Sequence, residues 1–93
     1  GEDGLIVITV TISDRGEILS GPDIVSRGFV YVRDAEELME NTKKIVTDSL
    51  LSSLSDNKRD WANLKNRVRD AANSYLYSVT QRSPMILPII MEI

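Results

Sequence analysis

The 93 residues of this chain include no histidine and no cysteine. Most hydrolytic metal sites, nucleophile–base pairs and redox centres are built from those two residue types, so their absence removes most routes by which a small domain could be an enzyme. It also removes any disulfide framework, and the composition fits a reducing, cytoplasmic setting. No apolar run approaches the roughly 20 residues needed to cross a bilayer, so no membrane role is expected. The opening Gly1-Glu2-Asp3-Gly4 has neither an initiator methionine nor the pattern of a signal peptide, and reads as a piece of a longer protein. Positive charge is short as well. Eleven basic residues against fourteen acidic ones leave a net charge of −3, whereas an autonomous nucleic-acid-binding domain usually carries a basic field.

What is present is an ordinary globular composition, 42% hydrophobic and 27% charged, of a length that makes one domain over residues 1–93. Leu5 to Ser13 are rich in β-branched residues and predict a strand, with Ile6, Ile8, Val10 and Ile12 on one face. Asp14-Arg15-Gly16-Glu17 offers a tight turn into a second strand at Ile18-Leu19-Ser20. Gly21-Pro22-Asp23 should then force a bulge, a kink or an edge, because proline cannot donate to a ladder. A further short extended piece is expected over Ile24-Val25 and Gly28 to Val32.

Asp34 is placed to cap a first helix, with Glu37 in the capping-box position and apolar residues at 38, 39, 45, 46, 50 and 54. A second helix should begin near Asp60 and align Trp61, Leu64, Val68, Ala71, Ala72, Tyr75, Leu76 and Val79 in one stripe. Ser83-Pro84 ends it, and Met85 to Ile93 reads as a last strand. The expected fold is α+β: a small, mainly three-stranded sheet with two helices packed on one face, in the order β-β-(short β)-α-α-β.

That architecture leaves a face over. In the last strand Ile86 and Ile90 point one way, and Met85, Leu87, Ile89, Met91 and Ile93 the other. Two helices cover one face of a small sheet, so the second apolar row, joined by Leu5 and Val7 if the end strands pair, needs a partner to cover it. Leu5, Val7, Met85, Leu87, Ile89 and Met91 are therefore the candidate interface.

Other patterns have plainer readings. Arg27-Gly28-Phe29-Val30-Tyr31-Val32 partly matches the signature strand of RNA-recognition motifs. The second aromatic signature strand is missing, however, and the helix order is wrong, so core packing of Phe29 and Tyr31 is preferred. Asp34, Glu36, Glu37 and Glu40 favour the positive end of a helix dipole and make no convincing metal cluster. No catalytic or metal-binding residue is assigned, and no cofactor is expected in this domain. Lys58, Arg59, Lys65, Arg67 and Arg69 are interleaved with Asp56, Asp60 and Asp70, as on a solvated, salt-bridged helix face. Arg27 and Arg82 each precede a backbone-special residue and can bond a carbonyl, a carboxylate such as Asp23, or a phosphate.

Three separated segments together resemble the C-terminal domain of bacterial ribonuclease J: Ser20-Gly21-Pro22-Asp23-Ile24-Val25-Ser26-Arg27-Gly28-Phe29-Val30-Tyr31, the later Trp61, and Arg82-Ser83-Pro84-Met85-Ile86-Leu87-Pro88. Ser83 stands where a second basic residue is expected. The resemblance implies a cytoplasmic parent enzyme with a metallo-β-lactamase core, a β-CASP insertion, and zinc-dependent 5′-to-3′ exonuclease and endonuclease activity on RNA. It implies an appended domain that is not itself catalytic and that supports subunit association, with the catalytic body and other subunits as partners. None of the family's metal ligands maps onto this chain. The rival reading is a direct RNA-binding module using Arg27, Arg33, Arg82 and the basic positions of the second helix.

Overall fold

The computed structural model describes residues 3–29, 35–55 and 60–93. Strand β1 spans Leu5–Ile12 and β2 spans Ile18–Arg27; helix α1 spans Ala35–Leu54, helix α2 Trp61–Thr80, and strand β3 Met85–Glu92. The strands form one sheet in the order β2-β1-β3. β1 and β2 are antiparallel, and β1 and β3 are parallel.

The hairpin follows from its turn chemistry. Gly16 takes φ 81°, its N–H donates to the Ser13 carbonyl at 3.0 Å, and Ser13 Oγ accepts from the N–H groups of Arg15 and Glu17. The parallel β3 follows from the helix pair. Two helices of 20 residues each carry the chain out about 30 Å and back, so it re-enters the sheet at the end where β2 left it. That is also the end where β1 begins, so β3 must run with β1.

Proline in β2 is absorbed rather than excluded. The ladder pairs Thr9 with Asp23 and Thr11 with Ser20, so Gly21 and Pro22 together oppose Val10 as a bulge. Beyond the bulge the pairing resumes, so Ile24-Val25 continues β2 and is no separate short strand. The expected extension through Val30 and Val32, with Tyr31, Arg33 and the Asp34 cap, lies outside the described residues, as do Asp56 to Arg59.

The core fills the space between one sheet face and the helices. Ile6, Ile8, Val10 and Ile12 of β1 meet Leu38, Val46, Leu50 and Leu54 of α1 and Leu64, Val68, Ala72 and Leu76 of α2. Each helix buries residues spaced four apart, the row that repeats on one side of an α-helix. Thr42 occupies a step of the α1 row and satisfies its hydroxyl by donating to the Leu38 carbonyl at 2.7 Å. Asp60 caps α2 by accepting from Asn63 N–H at 3.1 Å. The helix closes on Gln81 in the left-handed region (φ 61°), ahead of the expected Ser83-Pro84 stop. Asn41 Nδ2 donates to Tyr75 Oη at 3.0 Å and ties the two helices together. Val79 departs from the expected stripe: it is exposed, because the buried row ends at Leu76.

Candidate interaction surface

The second face of the sheet has no helix on it. Met85 (60% exposed), Leu87 (48%), Ile89, Met91 (51%) and Ile93 project from β3 on that side, while Ile86, Pro88 and Ile90 turn to the core side. Leu5 and Val7 of β1 are half-buried beside them. The parallel register sets Leu5 opposite Met85, Val7 opposite Leu87 and Thr9 opposite Ile89. All six residues expected at the interface therefore share one face, and five of them fall in two adjacent rows and the next.

β2 extends the surface, a contribution the sequence did not expose. Two register shifts, one at Gly21-Pro22 and one beside Leu19, move the pairing of β2 by two residues along β1, so the partners of Ile24 and Val25 cannot be read by counting from Ile18. In the structure Val25 is opposite Val7 and 50% exposed. Arg27 is opposite Leu5 and Asp23 is opposite Thr9, both exposed. The open face thus runs from an apolar β3 side to a rim on β2 carrying one positive and one negative charge.

Of the candidate arginines, the described Arg27 and Arg82 stand at the same end of the sheet, on or next to its two edge strands. Arg27 ends β2 at one edge of the sheet, and its Nη1 donates to the adjacent Ser26 carbonyl at 3.3 Å. Arg82 lies in the exposed turn leading to β3, at the other edge, with its backbone N–H on Thr80 Oγ1. Arg33 lies outside the described residues. On α2, Arg67 Nη1 donates to Ser53 Oγ at 3.4 Å and Arg69 Nη2 to Asn66 Oδ1, so these cations engage neutral neighbours rather than the expected carboxylates. Phe29 is 8% exposed and belongs to the core, which leaves its ring no free side on which to stack a base.

A groove of about 500 Å³ between α2 and the start of β3 is lined by Arg69, Asp70, Asn73 and residues 83–87. Asn73 Oδ1 is buried beside it without a hydrogen-bond partner. Nearby, Asp3 Oδ2 accepts the Ser83 N–H at 2.8 Å and Gly4 O accepts the Met85 N–H at 2.8 Å, so the first described residues are fastened to the entry of β3. Among the described residues, no group of three or more acidic side chains is placed to hold a metal ion, and no helix is long and apolar enough to cross a membrane.

A three-stranded sheet backed by two helices, with its other face apolar, is a fold rather than a function; relatives narrow it. The family model of the ribonuclease J C-terminal domain matches residues 1–93. This chain belongs to that family. It is 39% identical over 93 residues to ribonuclease J2 of Bacillus subtilis, covering 99% of this chain and 17% of that protein. Ribonuclease J 2 of Staphylococcus aureus is 38% identical, and that of Staphylococcus epidermidis 39%, over the same shares. The chain thus spans about a sixth of the length of the curated relatives it matches.

Proposed function

We propose that this ribonuclease J C-terminal domain is non-catalytic and serves assembly, its open sheet face being covered by other parts of a ribonuclease J-type enzyme. The observation that carries the reading is the contiguous apolar row Met85, Leu87, Ile89 and Met91, exposed on a sheet whose other face is fully packed. Monomeric soluble proteins seldom leave such a surface in water, and one this regular marks an interface. The parent enzyme, in this reading, is a cytoplasmic ribonuclease with a metallo-β-lactamase core and a β-CASP insertion. It cuts RNA both from the 5′ end and internally with the help of zinc. A chain without histidine or cysteine does not fit such a metal, whose usual ligands are those residues, so zinc would be held elsewhere in the enzyme.

Direct RNA binding is the less favoured reading. The net charge is −3 and Phe29 is buried. Phosphate-driven binding usually draws on a net basic field.

The test is to introduce Leu87→Asp and Ile89→Asp together into the full-length enzyme, then measure its molar mass by light scattering and its activity on RNA. The reading expects a smaller assembly and reduced activity. An unchanged mass and rate would remove the interface assignment.

A further inference from the structure

The groove between α2 and β3 touches Met85 and Leu87, which project to the open face of the sheet, and also Ile86, which turns to the core. A cleft that meets residues of both faces of one strand runs along that strand's edge. β3 is the last strand of the sheet, with β1 on its other side. The groove therefore occupies the place where a fourth strand would lie.

The backbone at this edge is ready to pair. Met85 N–H donates to Gly4 O on the β1 side, so the N–H and C=O of the next residue, Ile86, face away from β1 into the groove. Two residues on, Pro88 presents a carbonyl there and has no N–H to offer. Asn73 of α2 adds a further acceptor. Among the described residues its Oδ1 is buried and finds no hydrogen-bond partner. An acceptor left in that state costs stability, and native structures keep few of them. The groove thus holds three acceptors, Ile86 C=O, Pro88 C=O and Asn73 Oδ1, against the Ile86 N–H.

We propose that this groove binds an extended peptide of a partner protein, which adds to β3 as a fourth strand and donates a side-chain hydroxyl to Asn73 Oδ1. The proposal concerns the edge of the sheet and is independent of what covers its open face.

The lining describes the peptide. On one side its side chains lie beside Met85 and Leu87 and must be apolar. On the other they face α2, where Arg69 and Asp70 flank Asn73 with opposite charges and favour neither sign. An uncharged donor suits that position, and threonine combines a hydroxyl with a preference for extended structure. Residues 84–87 span about 10 Å, which matches three or four residues of an added strand. Strand addition of this kind takes its affinity from main-chain hydrogen bonds and its specificity from alternate side chains. Other occupants fit less well. The phosphates of a nucleic acid bring further acceptors to a groove that needs donors. A second copy of β3 brings the same shortage of N–H groups.

The probe is an end-capped synthetic pentapeptide, lysine-valine-threonine-valine-lysine, titrated into the 93-residue chain up to the millimolar range while backbone amides are followed by NMR. The Ile86 amide should shift and its exchange with solvent should slow as the peptide binds, whereas the Leu87 amide, directed towards β1, should change little. Asn73→Ala places a good helix former in α2 and should weaken binding about fivefold without lowering the melting temperature. Replacing the peptide's threonine by valine should weaken binding to the wild-type chain by the same factor and binding to Asn73→Ala no further, since both changes delete one bond. An Ile86 amide that ignores the peptide overturns the proposal. So does an Asn73→Ala variant that binds the peptide like the wild type. Should that variant melt early, the two peptides compared on the wild-type chain still decide, and equal affinities overturn it. Hydrogen exchange in the full-length enzyme supplies the last arm. An Ile86 amide already protected there without peptide means that the enzyme's own body fills the groove, and the proposed partner falls.

Discussion

Gly4 and Gly28 pass each other backbone against backbone where β1 begins and β2 ends. A Cβ on Gly4 would lie 2.5 Å from the Gly28 carbonyl carbon and 2.5 Å from Phe29 N, and Gly4 has φ +94°. The contact lets Gly4 O reach the Met85 N–H and brings Phe29 down onto the core. Gly28 is itself at φ +69°, but a Cβ there would meet only Gly4 Cα, at 3.6 Å.

Gly4→Ala should therefore cost more than Gly28→Ala. The first combines a backbone clash with an unfavourable φ, and about 3 kcal/mol is expected; the second meets the φ penalty alone, about 1 kcal/mol. Urea unfolding of the two variants checks the order. Equal losses would mean that the close approach has no energetic weight.

Asp60→Ala should destabilise the domain by about 1 kcal/mol, because the carboxylate that accepts the Asn63 N–H is lost at the start of α2. Asp60→Ser keeps an acceptor and should recover most of the loss. Thermal melts of the two variants measure the difference.

Tyr75→Phe removes the partner of Asn41 Nδ2 while keeping the ring against the core. The hydrogen bond is part-buried, so a loss of about 1 kcal/mol is expected. Asn41→Ala should cost a similar amount and add little on top of Tyr75→Phe, since both delete the same bond. Additive losses in the double variant would show that the bond does not join the two helices energetically.

Pro88 guards the free edge of β3. The Met85 N–H donates to Gly4 O, just ahead of β1, and the Ile93 N–H, just past β3, donates to Ile12 O, so odd-numbered residues of β3 point their N–H groups inward and even-numbered ones outward. Pro88 stands at an outward position, where its missing N–H leaves the ladder with β1 intact and interrupts the exposed edge. Pro88→Val should leave stability within about 1 kcal/mol and raise aggregation at high concentration. Static light scattering over hours at matched concentration measures it; no change would remove the guarding role.

Much of this fold is legible in the sequence because its strongest signals are local. β1 alternates cleanly, Asp60 precedes a helical stripe, and the odd-numbered apolar residues of β3 mark an outer face before any pairing is known. What the sequence hides depends on registers that a bulge resets. Counting through Gly21-Pro22 does not place Val25 opposite Val7, so the third strand's share of the open face, with Asp23 and Arg27 at its rim, emerges only from the paired structure. Val79 shows the opposite limit: it keeps the helical spacing of the core stripe but lies beyond the last buried step at Leu76.

The most direct test of the central claim is oxidative footprinting of the three methionines, in the 93-residue chain at high dilution and in the full-length enzyme. Met85 and Met91 lie on the open face, while Met39 packs partly buried against the core and serves as an internal reference. The account predicts that Met85 and Met91 oxidise readily in the dilute chain and become protected in the enzyme, with Met39 reacting equally in both. Equal reactivity of Met85 and Met91 in the two settings would show that nothing covers the face, and would contradict the account.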